Sequence, residues 1–207
     1  MRSRVGILAL VVLGATPGAS LGQTGPAAGG AAPVTHARRL ALAPKLGVAW
    51  SPGGMRPLTV AAEATWQTAL ADGRVGLALE VGSYAHHRTD SVLLSGRAVE
   101  ISGDAQYVPI LLSVAWRDGT EGWPMWGTVG GGAAHVEGDV TVAGSDAPPE
   151  AGWVPVVHAS MAWGLRLGDA TPFAEVRVAW HGDPGFASLG GSLTTVGLAL
   201  GFRYDAL

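Results

Sequence analysis

Hydrophobic residues along much of this chain recur at every second position. In RVGLALEVGSY (residues 74–84) one alternate set is Val75, Leu77, Leu79 and Val81; the other is Arg74, Gly76, Ala78, Glu80, Gly82 and Tyr84. A period of two belongs to an extended strand, whose successive side chains point to opposite faces. The same alternation marks 40–50, 58–68, a stretch ending near Trp116, 153–167, 172–181 and 193–204. A further segment, from Trp123 to about Val136, completes a set of eight, but its GTVGGGAA alternates so poorly that its faces stay unassigned. Between the segments lie turn-forming stretches: SPGGMRP, ALADG, RDGTEG, GDAT and GDPGFASLGGS, with longer polar connections over 86–100 and 137–151. The predicted strands run about 9 to 15 residues, beyond the 5 or 6 usual in soluble sheets and enough to cross a bilayer at a tilt.

Alternation of this kind fits two architectures. A soluble lipocalin-like barrel turns its apolar set inward and wets the other. A transmembrane barrel turns the apolar set outward to lipid and fills its lumen with small and polar residues. Composition separates them. Charged residues are 14% of the chain, and Gly accounts for 32 of 207 positions, where a soluble domain carries roughly 25% charge. The polar face is mainly Gly, Ala, Ser and Thr, which suits the narrow interior of an eight-stranded barrel. Trp50, Trp66, Trp116, Trp153, Trp180, Phe202 and Tyr204 lie near predicted strand ends on the apolar side, where aromatic rings prefer a membrane–water interface. The expected fold is therefore all-β: an eight-stranded antiparallel transmembrane β-barrel of up-and-down topology over 40–204.

With the faces set this way, Lys45, Glu63, Glu80, Arg166, Glu175, Arg177 and Arg203 point into the lumen. Lone charges there would be costly, so they are expected to pair into an ionic network that plugs the barrel. Glu63 and Glu80 fall close together across a hairpin and call for a cation, with Arg203 or Lys45 as the source. His158-Ala159-Ser160 has the His-x-Ser spacing of a hydrolytic pair, as in outer-membrane lipid A deacylases. Its parity points both side chains into the lumen, so a hydrogen-bonded structural histidine is the expectation. His86, His87 and Asp90 lie in a polar connection and are expected to be solvated; no metal or other cofactor is expected. Gly130-Gly131-Gly132 has no helix after it to make a phosphate cradle and suits close packing or a bulge.

The run QYVPILLSVAWRDGTEGWPMWGTVGGGAA resembles the mid-barrel hairpin of small bacterial outer-membrane proteins of the OmpA-barrel/OmpX type, and GLALGFRY resembles their terminal strand. The resemblance covers about 40–204. It implies an aromatic-ended signal read by the barrel-insertion machinery, short turns and both termini on the periplasmic side, and the other connections outside. This chain departs from the pattern by continuing with Asp205-Ala206-Leu207 after Tyr204.

The remaining sequence sets the context. Arg2, Arg4, the apolar run Val5–Ala15 and small residues before Gln23 have the form of a cleaved signal peptide over 1–22; 23–39 is a Gly/Ala/Pro-rich lead-in. Net charge is −3 and there is no cysteine, so neither a nucleic-acid partner nor thiol chemistry is indicated. The expected function is a non-enzymatic structural or surface-interaction role in the outer membrane, with outer-membrane lipid as the surrounding partner. Ligand contacts, if any, are expected in the 86–100 and 137–151 connections. The alternatives are a narrow solute channel, a lipid A-modifying enzyme acting through His158 and Ser160, and a soluble binding barrel.

Overall fold

The computed structural model describes residues 40–51, 58–94, 97–118, 122–185 and 192–206. The expected signal peptide, the lead-in and Leu207 lie outside these residues. Among the described residues nine strands form: β1 (Leu40–Trp50), β2 (Leu58–Gln67), β3 (Val75–Leu94), β4 (Arg97–Arg117), β5 (Met125–Val142), β6 (Ser145–Asp146), β7 (Glu150–Gly164), β8 (Ala170–His181) and β9 (Leu193–Ala206). β6 is a two-residue strand set against the far end of β5. The other eight pair antiparallel in a closed ring, each with its neighbours in sequence, and β1 pairs with β9 to seal it. Closure leaves no sheet edge around the ring, so its backbone groups are satisfied without water.

The greasy set faces out. Leu200 and Leu112 are 67% and 60% exposed, while Glu175 and Glu80 are 2% and 3% exposed. An exterior belt of Leu46, Leu79, Leu112, Val129, Val178 and Leu198 is far more apolar than a wetted surface tolerates, and is what a bilayer contacts. This disposes of a soluble barrel with a greasy interior. Aromatic rings collect at both rims of the belt. Trp66, Trp116, Trp163, Phe202 and Tyr204 stand toward the end that holds the start of β1 and the finish of β9; Trp50, Trp153 and Trp180 stand toward the other.

Two expectations need correction, and a third point, left open by the sequence, is settled. The 86–100 and 137–151 segments are not loops for most of their length. β3 and β4 stay paired as far as Leu94↔Arg97, and β5 pairs with β4 out to Val142↔Ile101. Beyond Tyr84, among the described residues, β3 has β4 alone as partner, so Ala85 to Leu94 projects as a ribbon, roughly 30 Å of extended chain. Second, β7 spans 150–164 instead of 153–167, and Leu165 to Leu167 belong to the turn. Third, β5 acquires definite faces: Trp126, Thr128, Ala134 and Val136 are buried inside and Val129 is outside.

Candidate functional site

The charged lumen begins with register. Glu63 on β2 and Glu80 on β3 are direct cross-strand partners, both turned inward. Two carboxylates in that position repel unless a cation intervenes. Lys45 on β1 supplies it. Its cross-strand neighbours are Ala61 and Gly201, small enough for the lysine stem to lean across the bore. Its Nζ donates to Glu63 Oε2 at 2.6 Å, Glu175 Oε2 at 2.7 Å and Glu80 Oε2 at 2.9 Å. Three protons thus meet carboxylates from three strands, which saturates an ammonium.

Arg177, two residues along β8 from Glu175, completes the cluster. Its guanidinium donates through two nitrogens to the two oxygens of Glu80, the fork geometry that favours arginine. It also donates to Glu175 Oε1 at 2.9 Å. Thr65 donates to the remaining oxygen of Glu63 at 2.7 Å. Every carboxylate oxygen of Glu63, Glu80 and Glu175 therefore has a partner. The side chains of Lys45 and the three glutamates are between 2% and 4% exposed. In so low a dielectric the mutual attraction holds because every carboxylate oxygen and each ammonium proton is engaged, whereas the Arg177 Nε–H is buried without a partner among the described residues.

The lumen is also filled toward the termini end. Trp126 meets Phe173 edge-to-face with ring centroids 5.0 Å apart, and Arg203 lies 5.2 Å over the Trp126 ring. Ala43 and Ala162 pack against this pair. Arg203 is buried, yet it does not supply the cation for Glu63 and Glu80; its Nε reaches Asp205 at 3.4 Å. Asp205 also faces Arg117 at 3.5 Å and Arg166 at 3.8 Å. Asp205 and Ala206 thus continue β9, with an inward carboxylate among arginines.

Arg166 is the misplaced member of the expected network. It sits in the turn after β7, 45% exposed, where its amide donates to Gly122 O at 3.1 Å in the neighbouring turn. Lys45, Glu63, Glu80, Glu175 and Arg177 are brought together; Arg203 occupies a separate group, and Arg166 stands at the rim. Trp126 escapes the sequence reading, because its neighbourhood carries no alternation to assign it.

His158 and Ser160 both face inward but do not bond to each other. His158 Nε2 shares a hydrogen bond with Ser113 Oγ at 2.7 Å, and Ser160 bonds Thr128 at 2.8 Å. Ser113 and His158 lie two strands apart, with Gly130 between them in register with both. Such strands are separated by roughly 9.6 Å, and the bond closes over the glycine because no side chain intervenes. Of the outward histidine group, His87 pairs with Asp104 at 2.7 Å; the side chains of His86 and Asp90 lie outside the described residues.

Ring closure, an apolar belt with aromatic rims and a filled polar bore together define the outer-membrane β-barrel fold. Among solved structures, a major outer membrane protein from Thermus thermophilus is similar, with a TM-score of 0.52 at 13% identity over 80% of this chain and 98% of that one. The Neisserial surface protein NspA gives 0.48 at 12% identity, covering 80% and 95%, and OprG from Pseudomonas aeruginosa gives 0.48 at 13%, covering 82% and 96%. At these identities the likeness is one of fold. No family profile and no curated protein matches the sequence.

Proposed function

We propose that this chain is an integral outer-membrane barrel with a closed lumen, serving a structural or surface-interaction role and not solute passage. The observation that carries the reading is Lys45 Nζ held by carboxylates from β2, β3 and β8 across the bore. An ion in transit would have to displace a saturated buried cluster and then pass Trp126 and Phe173, at a cost of several kcal/mol. The projecting β3–β4–β5 ribbon is the surface offered to partners, in keeping with function borne by segments held on a rigid scaffold. Surrounding lipid contacts the apolar belt, and the barrel-insertion machinery receives β9 during assembly. The inward, separate placement of His158 and Ser160 supports a non-catalytic role.

Fractionation tests residence: the protein should pellet with membranes, need detergent for release and migrate faster on gels unheated than boiled. Planar bilayers test the plug, with no stepwise conductance expected. Release into the aqueous fraction without detergent would refute the membrane assignment, and steady ohmic channels would refute the closed lumen.

A further inference from the structure

The bore is not filled evenly along its length. On the side of the ion cluster away from the termini, β4, β5 and β7 contribute large inward residues, among them Tyr107, Leu111, Val136 and Val156. The facing wall, from β1, β2, β8 and β9, carries Ala49, Ala61, Ala179, Gly197 and Ala199. The mismatch leaves a cavity of about 70 Å³. Gly197 shows that the space is real. A Cβ built there would meet nothing nearer than Val48 O at 3.4 Å, an ordinary contact, whereas at Gly47, Gly130 and Gly201 it would collide with the neighbouring strand. Those glycines are demanded by packing; Gly197 is not.

The floor decides what could occupy the cavity. Lys45, Glu80, Glu175 and Arg177 line it, but only the Arg177 side chain, 22% exposed, is open to an occupant to any extent. That guanidinium is already paired with Glu80 and Glu175, so it offers hydrogen-bond donors without a net pull on an anion. The cluster as a whole sets two cations against three carboxylates, which opposes a further negative charge. An ammonium fares no better, since the Glu80 and Glu175 side chains are only 4% and 2% exposed and the accessible member of the floor is the Arg177 cation. Farther from the floor, Tyr84 and His181 line the cavity with Leu111 and Val156. Tyr84 is held there by its stacking on Tyr107 and its hydrogen bond to His181.

We propose that this chamber binds an uncharged small molecule with one hydrogen-bond acceptor oxygen on a compact apolar body. The oxygen faces Arg177 and the body lies against Leu111, Val156 and Tyr84. Because the ion cluster closes the side toward the termini, the chamber is a dead end on that side. The inference rests on the closed-barrel reading and gives that barrel a ligand.

Three molecules with one body and different heads test it: cyclopentanol, cyclopentylammonium and cyclopentanecarboxylate. They are titrated by NMR into the detergent-folded protein, its heat-dependent gel shift verified first. Cyclopentanol should give saturable shifts at the amides of Tyr84, Thr195 and Gly197, and the two charged molecules none. Gly197→Leu, which fills the chamber, should abolish the cyclopentanol response; Gly197→Ala should keep it. Ala49→Leu, from the position directly opposite Gly197, does the same should the first variant fail to fold. Equal responses to all three heads, absence of saturation, or binding that survives in a folded filled variant would overturn the proposal. Absence of the gel shift in the unmodified protein would instead strike at the barrel itself.

Discussion

At the scale of the residue, the protein depends on a few side chains with no spare capacity. Lys45 is the clearest. Replacing it with methionine removes the group that, among the described residues, touches Glu63, Glu80 and Glu175 together, leaving carboxylates that must repel or take up protons. Loss of one partner of a buried pair costs about 3–5 kcal/mol, so Lys45→Met should lower the urea midpoint of the heat-shiftable band markedly. Glu80→Gln should lower it less, because an amide keeps part of the hydrogen bonding. Unchanged midpoints in both would show that the cluster does not hold the barrel together. Glycine gives a second contrast. A methyl at Gly130 would drive into Leu112 O and Ser113 Oγ and part the Ser113–His158 bond. Overpacking of this kind costs about 1–3 kcal/mol. Gly197→Ala, with room for its methyl, should melt within error of the parent; equal losses from both changes would contradict the packing described. The contacts that span the bore cannot be measured along the chain. Lys45 and Glu175 are separated by 130 residues, and only closure of the ring makes them neighbours. Their inward direction is legible all the same, because parity in a strand is rigid.

The strand is the scale at which the sequence speaks most clearly, and at which it falls silent for identifiable reasons. Where a strand has lipid on one side and a packed bore on the other, each residue records its face, as Leu77 and Glu80 do. β5 breaks the record: Gly130 to Gly132 have no side chains to contrast, and Trp126 turns a large ring inward. β3 past Ala85 loses the record differently. Outside the belt neither face of the ribbon meets lipid, so HHRTDS has no reason to alternate and resembles a loop while being strand. Arg166 falls outside the lumen because β7 ends at Gly164, and a turn does not preserve the parity of the strand before it. The belt itself can be tested on β4. Leu112→Arg puts a guanidinium on the outward face between Ile110 and Val114, where a charge at mid-depth costs about 2–4 kcal/mol. Folding yield into lipid vesicles should fall accordingly. An arginine accepted there at no cost would mean that this surface does not meet acyl chains.

For the whole molecule, three fillings are stacked along one bore. Trp126, Phe173 and Arg203 occupy the termini end, the Lys45 cluster the middle, and a partly empty chamber the remainder. Such an arrangement obstructs the bore: the first two fillings tie strands on opposite sides of the ring. A barrel so fastened should resist detergent and heat up to a single cooperative transition, since β1, β2, β3 and β8 cannot part without breaking the cluster.

The shared ammonium has a consequence over evolutionary time. Three acids share one ammonium, with Arg177 also serving two of them, so none of positions 45, 63, 80 and 175 is free to drift alone. Among descendants of a common ancestor, loss of the lysine should come with loss of one or more glutamates, or with a new base facing the same spot. A collection of such sequences in which position 45 varies while all three acids persist unaccompanied would show that some other group neutralises them.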